Sequence, residues 1–97
     1  MTKFLNLLGM AQRAGKLETG ETFVVNAITK QTAKLVIVAT DTSENTKKKM
    51  TDKSSFYSVP IQIVQTTPEL SNAIGTKRSL IAVTDAGFAT AMLKLLT

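Results

Sequence analysis

The 97-residue sequence contains no cysteine, no histidine and no tryptophan. Without cysteine, disulfides and thiolate chemistry are excluded. The joint absence of cysteine and histidine removes nearly all transition-metal sites and the usual nucleophilic triads. Aromatic rings are scarce: Phe4, Phe23, Phe56, Phe88 and Tyr57 are the whole set, and most fall at core spacing. A single-strand stacking platform, which needs successive exposed rings, is therefore not expected. No apolar run approaches the ~20 residues of a membrane span. The first stretch, MTKFLNLLGMAQRAGK, alternates apolar with polar residues and does not read as a signal peptide. The chain reads as cytoplasmic, with no membrane partner.

What is present describes one globular domain spanning residues 1–97, 43% hydrophobic. Twelve Lys and Arg against seven Asp and Glu leave a formal charge of +5. A small basic domain attracts polyanions, so nucleic acid is the first partner class, although such charge also serves solubility.

Phe4, Leu5, Leu8 and Ala11 repeat at helical spacing behind the capping candidate Thr2, and Gly15 terminates them, which predicts a helix over 3–13. A short strand or turn, Lys16 to Glu18, leads through Thr19 and Gly20 into a second helix with Phe23, Val24, Ala27 and Ile28 as its buried stripe. Leu35 to Thr40 is continuously apolar and predicts a strand covered on both faces. Thr42 or Ser43 then caps a helix carrying Lys47, Lys48, Lys49 and Lys53. Ile61 to Val64 is the next strand. Thr67–Pro68–Glu69 starts a short helix buried through Leu70, Ala73 and Ile74, and Gly75 closes it. Leu80 to Thr84 is the last strand, and Asp85 caps a final helix carrying Phe88, Met92, Leu95 and Leu96. Regular alternation of this kind implies an α/β domain with helices on both faces of the sheet.

The run Leu8 to Glu21, LGMAQRAGKLETGE, puts Gly20 at the mouth of the second helix beside a basic, glycine-flanked loop. Such a helix start exposes free backbone N–H groups suited to phosphate. Together with AKLVIVATDTSENTKKK, this run resembles the kink-turn-binding ribosomal protein family (the L-seven-Ae/L-thirty-e group), in particular its small bacterial YlxQ-type branch, over nearly the whole chain. The resemblance implies a three-layer α/β/α sandwich on a four-stranded mixed sheet. It also implies a non-enzymatic, ribosome-associated, monomeric protein that binds kink-turn-like structured RNA without cofactor or metal.

In the resembled family the helix start after this glycine enters the widened groove of a kinked RNA and reads sheared G·A pairs. The family pattern is roughly Gly-x-Asn-Glu-x-x-Lys. Here Gly20 matches and Glu21 follows, while Thr22, Phe23 and Asn26 stand at the Asn, Glu and Lys positions. Phe23 has no acceptor and Asn26 no charge, whereas Thr22 keeps one hydroxyl. The phosphate-holding part is retained and the base-reading part is thinned. Arg13, Lys16 and Lys34 flank the region in sequence as candidate phosphate contacts, each also compatible with a solvated surface charge. The second RNA-facing element implied is the loop before the last strand, with Leu80 covering an extruded base and Lys77, Arg78 and Ser79 on the backbone. Ser71 replaces a family glycine just upstream.

Two other readings compete. The changed residues at Phe23 and Asn26 suit a protein-interaction module on the same scaffold, with Phe23 as an apolar anchor if exposed. Asp41 and Asp85 each follow a buried strand and could form a phosphoryl or magnesium site. Helix capping explains both aspartates more simply, and no Gly-rich phosphate loop accompanies them.

Overall fold

Helix-period and strand-period segments alternate, and in the computed structural model, which describes residues 2–97, they form α1 (Thr2–Arg13), β1 (Leu17–Thr19), α2 (Glu21–Thr29), β2 (Leu35–Val38), α3 (Glu44–Phe56), β3 (Ile61–Ile63), α4 (Thr67–Ile74), β4 (Leu80–Val83) and α5 (Ala86–Leu96). Local chemistry sets the ends. Gly15, at φ 71°, closes α1: its N–H bonds to Gln12 O at 3.0 Å and the Lys16 N–H to Ala11 O at 2.9 Å. This is the paired arrangement a left-handed residue permits after a helix. Ser43, not Thr42, caps α3, accepting from the Thr46 N–H. Thr66 and Glu69 form a reciprocal capping box on α4, and Asp85 caps α5. Thr2 is itself helical rather than the cap.

The sheet is mixed, in the order β1-β4-β2-β3. β4 runs antiparallel to both β1 and β2, whereas β2 and β3 are parallel. Side chains alternate across it as the period of two requires. Leu35, Ile37, Ile81 and Val83 face the layer of α1, α4 and α5, and Val36, Val38, Leu80 and Ala82 face α2 and α3. The expected three-layer α/β/α sandwich on a four-stranded mixed sheet is the observed architecture. Because β4 is antiparallel to its neighbours, its first residue meets the ends of β1 and β2. The starts of α2, α3 and α4 therefore gather at one end of the sheet.

Some expected core positions lie outside. Phe23 is 60% exposed and leaves the α2 stripe to Val24, Ala27 and Ile28; Leu95 and Phe56 are exposed as well. Ser54 is the one fully buried polar residue among those described, and its hydroxyl has no hydrogen-bond partner. An unpartnered buried hydroxyl is destabilising, so Ser54→Ala is expected to raise the unfolding free energy by about 1 kcal/mol. Ile37→Ala, which empties the centre of the sheet, is expected to lower it by about 2–5 kcal/mol. Urea unfolding of both variants checks the pair.

Candidate nucleic-acid interface

Gly20 joins β1 to α2 with φ 91° and ψ 155°, a conformation that side-chain-bearing residues rarely adopt. Its N–H donates to Leu80 O at 3.0 Å, and its carbonyl accepts from the Val24 N–H at 2.9 Å. No side chain caps α2, whereas α3, α4 and α5 are each capped by their own residues. The N–H groups of Glu21, Thr22 and Phe23 have no partner among the described residues. They form the positive end of the helix dipole and open to solvent, which favours an anion.

Facing them is the loop between α4 and β4. Ser71 Oγ accepts from the Arg78 N–H at 3.0 Å and lies 3.2 Å from Arg78 O, so one hydroxyl bolts the loop to α4. The position where a family glycine was expected therefore holds the loop's fastener. Arg78 donates to Lys77 O at 2.7 Å, and its Nε passes 3.9 Å from the point a Gly20 Cβ would occupy. Asp41 does not cap the helix that follows it. Its carboxylate accepts from the N–H (3.0 Å) and hydroxyl (2.6 Å) of Thr67, and Thr67 Oγ1 lies 3.2 Å from Ser79 Oγ. These bonds tie three loops around a concavity of about 510 Å3 that includes Gly20, Glu21, Asp41, Lys77, Arg78 and Ser79.

Two anions share this concavity with two cations, and both anions are occupied. Glu21 pairs with Lys49 of α3 at 2.7 Å. The Thr67 hydroxyl holds the Asp41 carboxyl below its ordinary pKa of 3.8, slight desolvation opposes it, and the Thr67 N–H and Lys47 add to the lowering. Lys77 and Arg78 join no ion pair among the described residues. With the free α2 amides, they leave the rim net attractive to phosphate.

Several expected contacts lie elsewhere. The Lys16 carbonyl accepts from Thr84 and the Lys34 N–H donates to Val83 O, which places both residues at the far end of β4 from Leu80. That separation is about 10 Å along the strand. Arg13, at the end of α1, lines a different concavity between α1 and α4, with Gly9, Glu69 and Asn72, and not the one at Gly20. Leu80 lines the same concavity as Gly20 but is only 5% exposed, packed on the α2/α3 side of the sheet, so it offers an incoming base little surface. Phe23 and Asn26 line a separate concavity beside β1 with Glu18 and Lys30, while Thr22 is exposed. Sequence reasoning missed the Asp41–Thr67–Ser79 link and the Glu21–Lys49 pair; no local motif announces contacts between residues 12 to 28 positions apart.

The model of the ribosomal protein L7Ae/L30e/S12e/Gadd45 family matches residues 2–93. The RNA-binding protein YlxQ of Enterococcus faecium is 48% identical over 90% of this chain and 84% of its own length. The RNA-binding protein YlxQ of Bacillus subtilis is 45% identical over 93% and 91%. A solved Bacillus halodurans protein of unknown function superposes with a TM-score of 0.96 at 41% identity, covering 99% and 98% of the two chains. The Giardia lamblia 15.5kD RNA binding protein shares the fold, with a TM-score of 0.79 at 15% identity over 94% and 82%.

Removing the loop fastener in Ser71→Ala is expected to cost about 1 kcal/mol and to speed hydrogen exchange at the Arg78 amide. Because its folded pKa lies below its unfolded value, Asp41 contributes stability above about pH 4, which is lost as pH falls through the folded pKa. Asp41→Asn should therefore be less stable than the parent at neutral pH, with the difference shrinking below pH 4 in acid unfolding curves.

Proposed function

Because the chain belongs to the ribosomal protein L7Ae/L30e/S12e/Gadd45 family, we propose that it is a non-enzymatic RNA-binding protein whose target is a kinked, kink-turn-like duplex. The observation that carries this reading is the uncapped start of α2 opposed by Arg78 across one concavity. A phosphate seated on the Glu21–Phe23 amides gains three donors and the helix dipole without desolvating any side chain. Lys77 and Arg78 engage the neighbouring backbone as charges, with Arg78 able to bind bidentately. Thr22 and exposed backbone groups supply base readout, so selectivity rests on few contacts. Ribosomal RNA is the first source to examine, in keeping with the family's ribosomal members. The close relatives named RNA-binding proteins support RNA as the ligand class.

A second reading, a protein-interaction module, is favoured by one observation: Phe23 stands 60% exposed beside the same helix start. An exposed ring flanked by Lys30 and Asn26 suits an apolar anchor. The two readings use different flanks of α2 and separate experimentally.

Titration against a kink-turn RNA, and against the same RNA with its G·A pairs replaced by Watson–Crick pairs, tests the proposal. The kinked form should bind about tenfold tighter, or about 1.4 kcal/mol. Log K should fall with log salt with a slope of roughly −2 to −4. Arg78→Ala should weaken both RNAs alike and reduce that slope by about 1. Equal affinity for the two RNAs would overturn recognition of the kink, and a flat salt response would overturn the phosphate mechanism. Binding to neither would leave the Phe23 surface and a protein partner.

A further inference from the structure

The lysine run of α3 is mostly spoken for. Lys47 pairs with Glu44 at 3.3 Å, Lys48 with Asp52 at 3.1 Å and Lys49 with Glu21 at 2.7 Å. Lys53 joins no ion pair among the described residues. Lys49, Lys53 and Phe56 recur at the i, i+4, i+7 spacing that lines one face of a helix. At the helical rise the stripe is about 10 Å long. It starts at the lip of the concavity described above, where Lys49 touches Glu21, and ends on Phe56.

Phe56 is 80% exposed, more than any other large apolar side chain among the described residues. Its ring is braced edge-to-face on Tyr57, with centroids 5.0 Å apart and planes at 76°. Tyr57 in turn packs on the core beneath α2 and α3. The ring is thus both open and held. With Lys49, Asp52, Lys53 and Tyr57 it lines a shallow concavity of about 380 Å3, in which Lys48 already neutralises Asp52.

We propose that the Lys49–Lys53–Phe56 stripe is a second RNA contact, which takes an unpaired strand leaving the main site, with a base stacked on Phe56 and its phosphate beside Lys53. The inference rests on the RNA reading above and extends it along α3. Charge and shape select a single strand over a protein. The apolar element is one ring rimmed by charged residues, not a broad apolar patch, and a base between phosphates has that same pattern. Phe56 carries neither donor nor charge, whereas Lys53 in the same last turn is a cation without an ion-pair partner among the described residues, which assigns the base to the ring and the phosphate to Lys53. The scarcity of aromatics argued against a stacking platform from sequence; a single exposed, braced ring at the end of a cationic stripe suffices for one base.

Tyr57 is the only tyrosine and the chain has no tryptophan, so intrinsic emission reports on this patch alone. The experiment titrates the full chain with hexaadenylate, too short and unpaired to fold into a kinked duplex, following Tyr57 emission and the anisotropy of a labelled hexamer. Saturable quenching that weakens with salt is expected. Phe56→Ala should weaken hexamer binding by roughly tenfold and Lys53→Gln by less. Since Phe56 is exposed, neither fold nor affinity for a tail-less kinked duplex should change in Phe56→Ala. Absence of quenching, or equal hexamer affinity in wild type and Phe56→Ala, overturns the stripe and turns attention to a protein partner for it. Failure of the stripe alone leaves the kinked duplex bound and sensitive to Arg78→Ala. Failure of the main reading leaves that duplex unbound.

Discussion

The backbone hydrogen bond from the Gly20 N–H to Leu80 O at 3.0 Å extends the antiparallel pairing of β1 and β4 and sets the start of α2 beside the loop that precedes β4. It requires the chain to turn at φ 91° immediately before α2, which only glycine does without strain of about 1–3 kcal/mol. It also requires β4 to run antiparallel to its neighbours. A parallel β4 would deliver its far end to this place and carry Arg78 to the opposite edge. With the observed topology, the uncapped amides of α2 and the loop holding Lys77 and Arg78 become neighbours without any contact between their side chains having to be encoded locally.

Electrostatics then divides the chain's +5 charge unevenly. The most conspicuous cations in the sequence, Lys47 to Lys49, are each matched by a carboxylate, and exposed pairs of this sort contribute little to stability. Their effect is local neutrality. Lys49 cancels Glu21 at the mouth of α2, whereas Asp41 keeps its negative charge, which the Thr67 hydroxyl and N–H stabilise. Among the described residues, the cations without carboxylate partners near the concavity are Lys77, Arg78 and, further along α3, Lys53. A short basic loop thus matters more to an incoming polyanion than a longer lysine run.

The architecture was legible because its signals are local. Helical repeats, the unbroken apolar runs of β2 and β4, the Pro68 helix start and the Asp85 cap each act within a few residues, and each has its expected place in the structure. Apolar or β-branched character continues past the last ladder pair to Thr40, Val64 and Thr84, so the sequence predicts longer strands than the ladders form. The site was legible only in part. Nearness in sequence suggested that Lys16 and Gly20 act together, yet an extended chain of four residues spans about 13 Å and crosses the sheet. The family resemblance points Leu80 outward, whereas its alternation with Ile81 on β4 turns it onto the α2/α3 face. Helical spacing puts Phe23 at the edge of the inner stripe of α2, but Val24, Ala27 and Ile28 already fill that stripe and Phe23 is left at the surface. Ser71 is instructive for the opposite reason: a departure from the expected glycine is what secures the loop.

An amide-resolved NMR titration with structured RNA tests the central claim most directly. The N–H signals of Glu21, Thr22 and Phe23 should shift together with that of Arg78, while those of Lys16 and Lys34 at the far end of the sheet stay in place. Shifts confined to the Lys16 and Lys34 end, with the start of α2 silent, would contradict it.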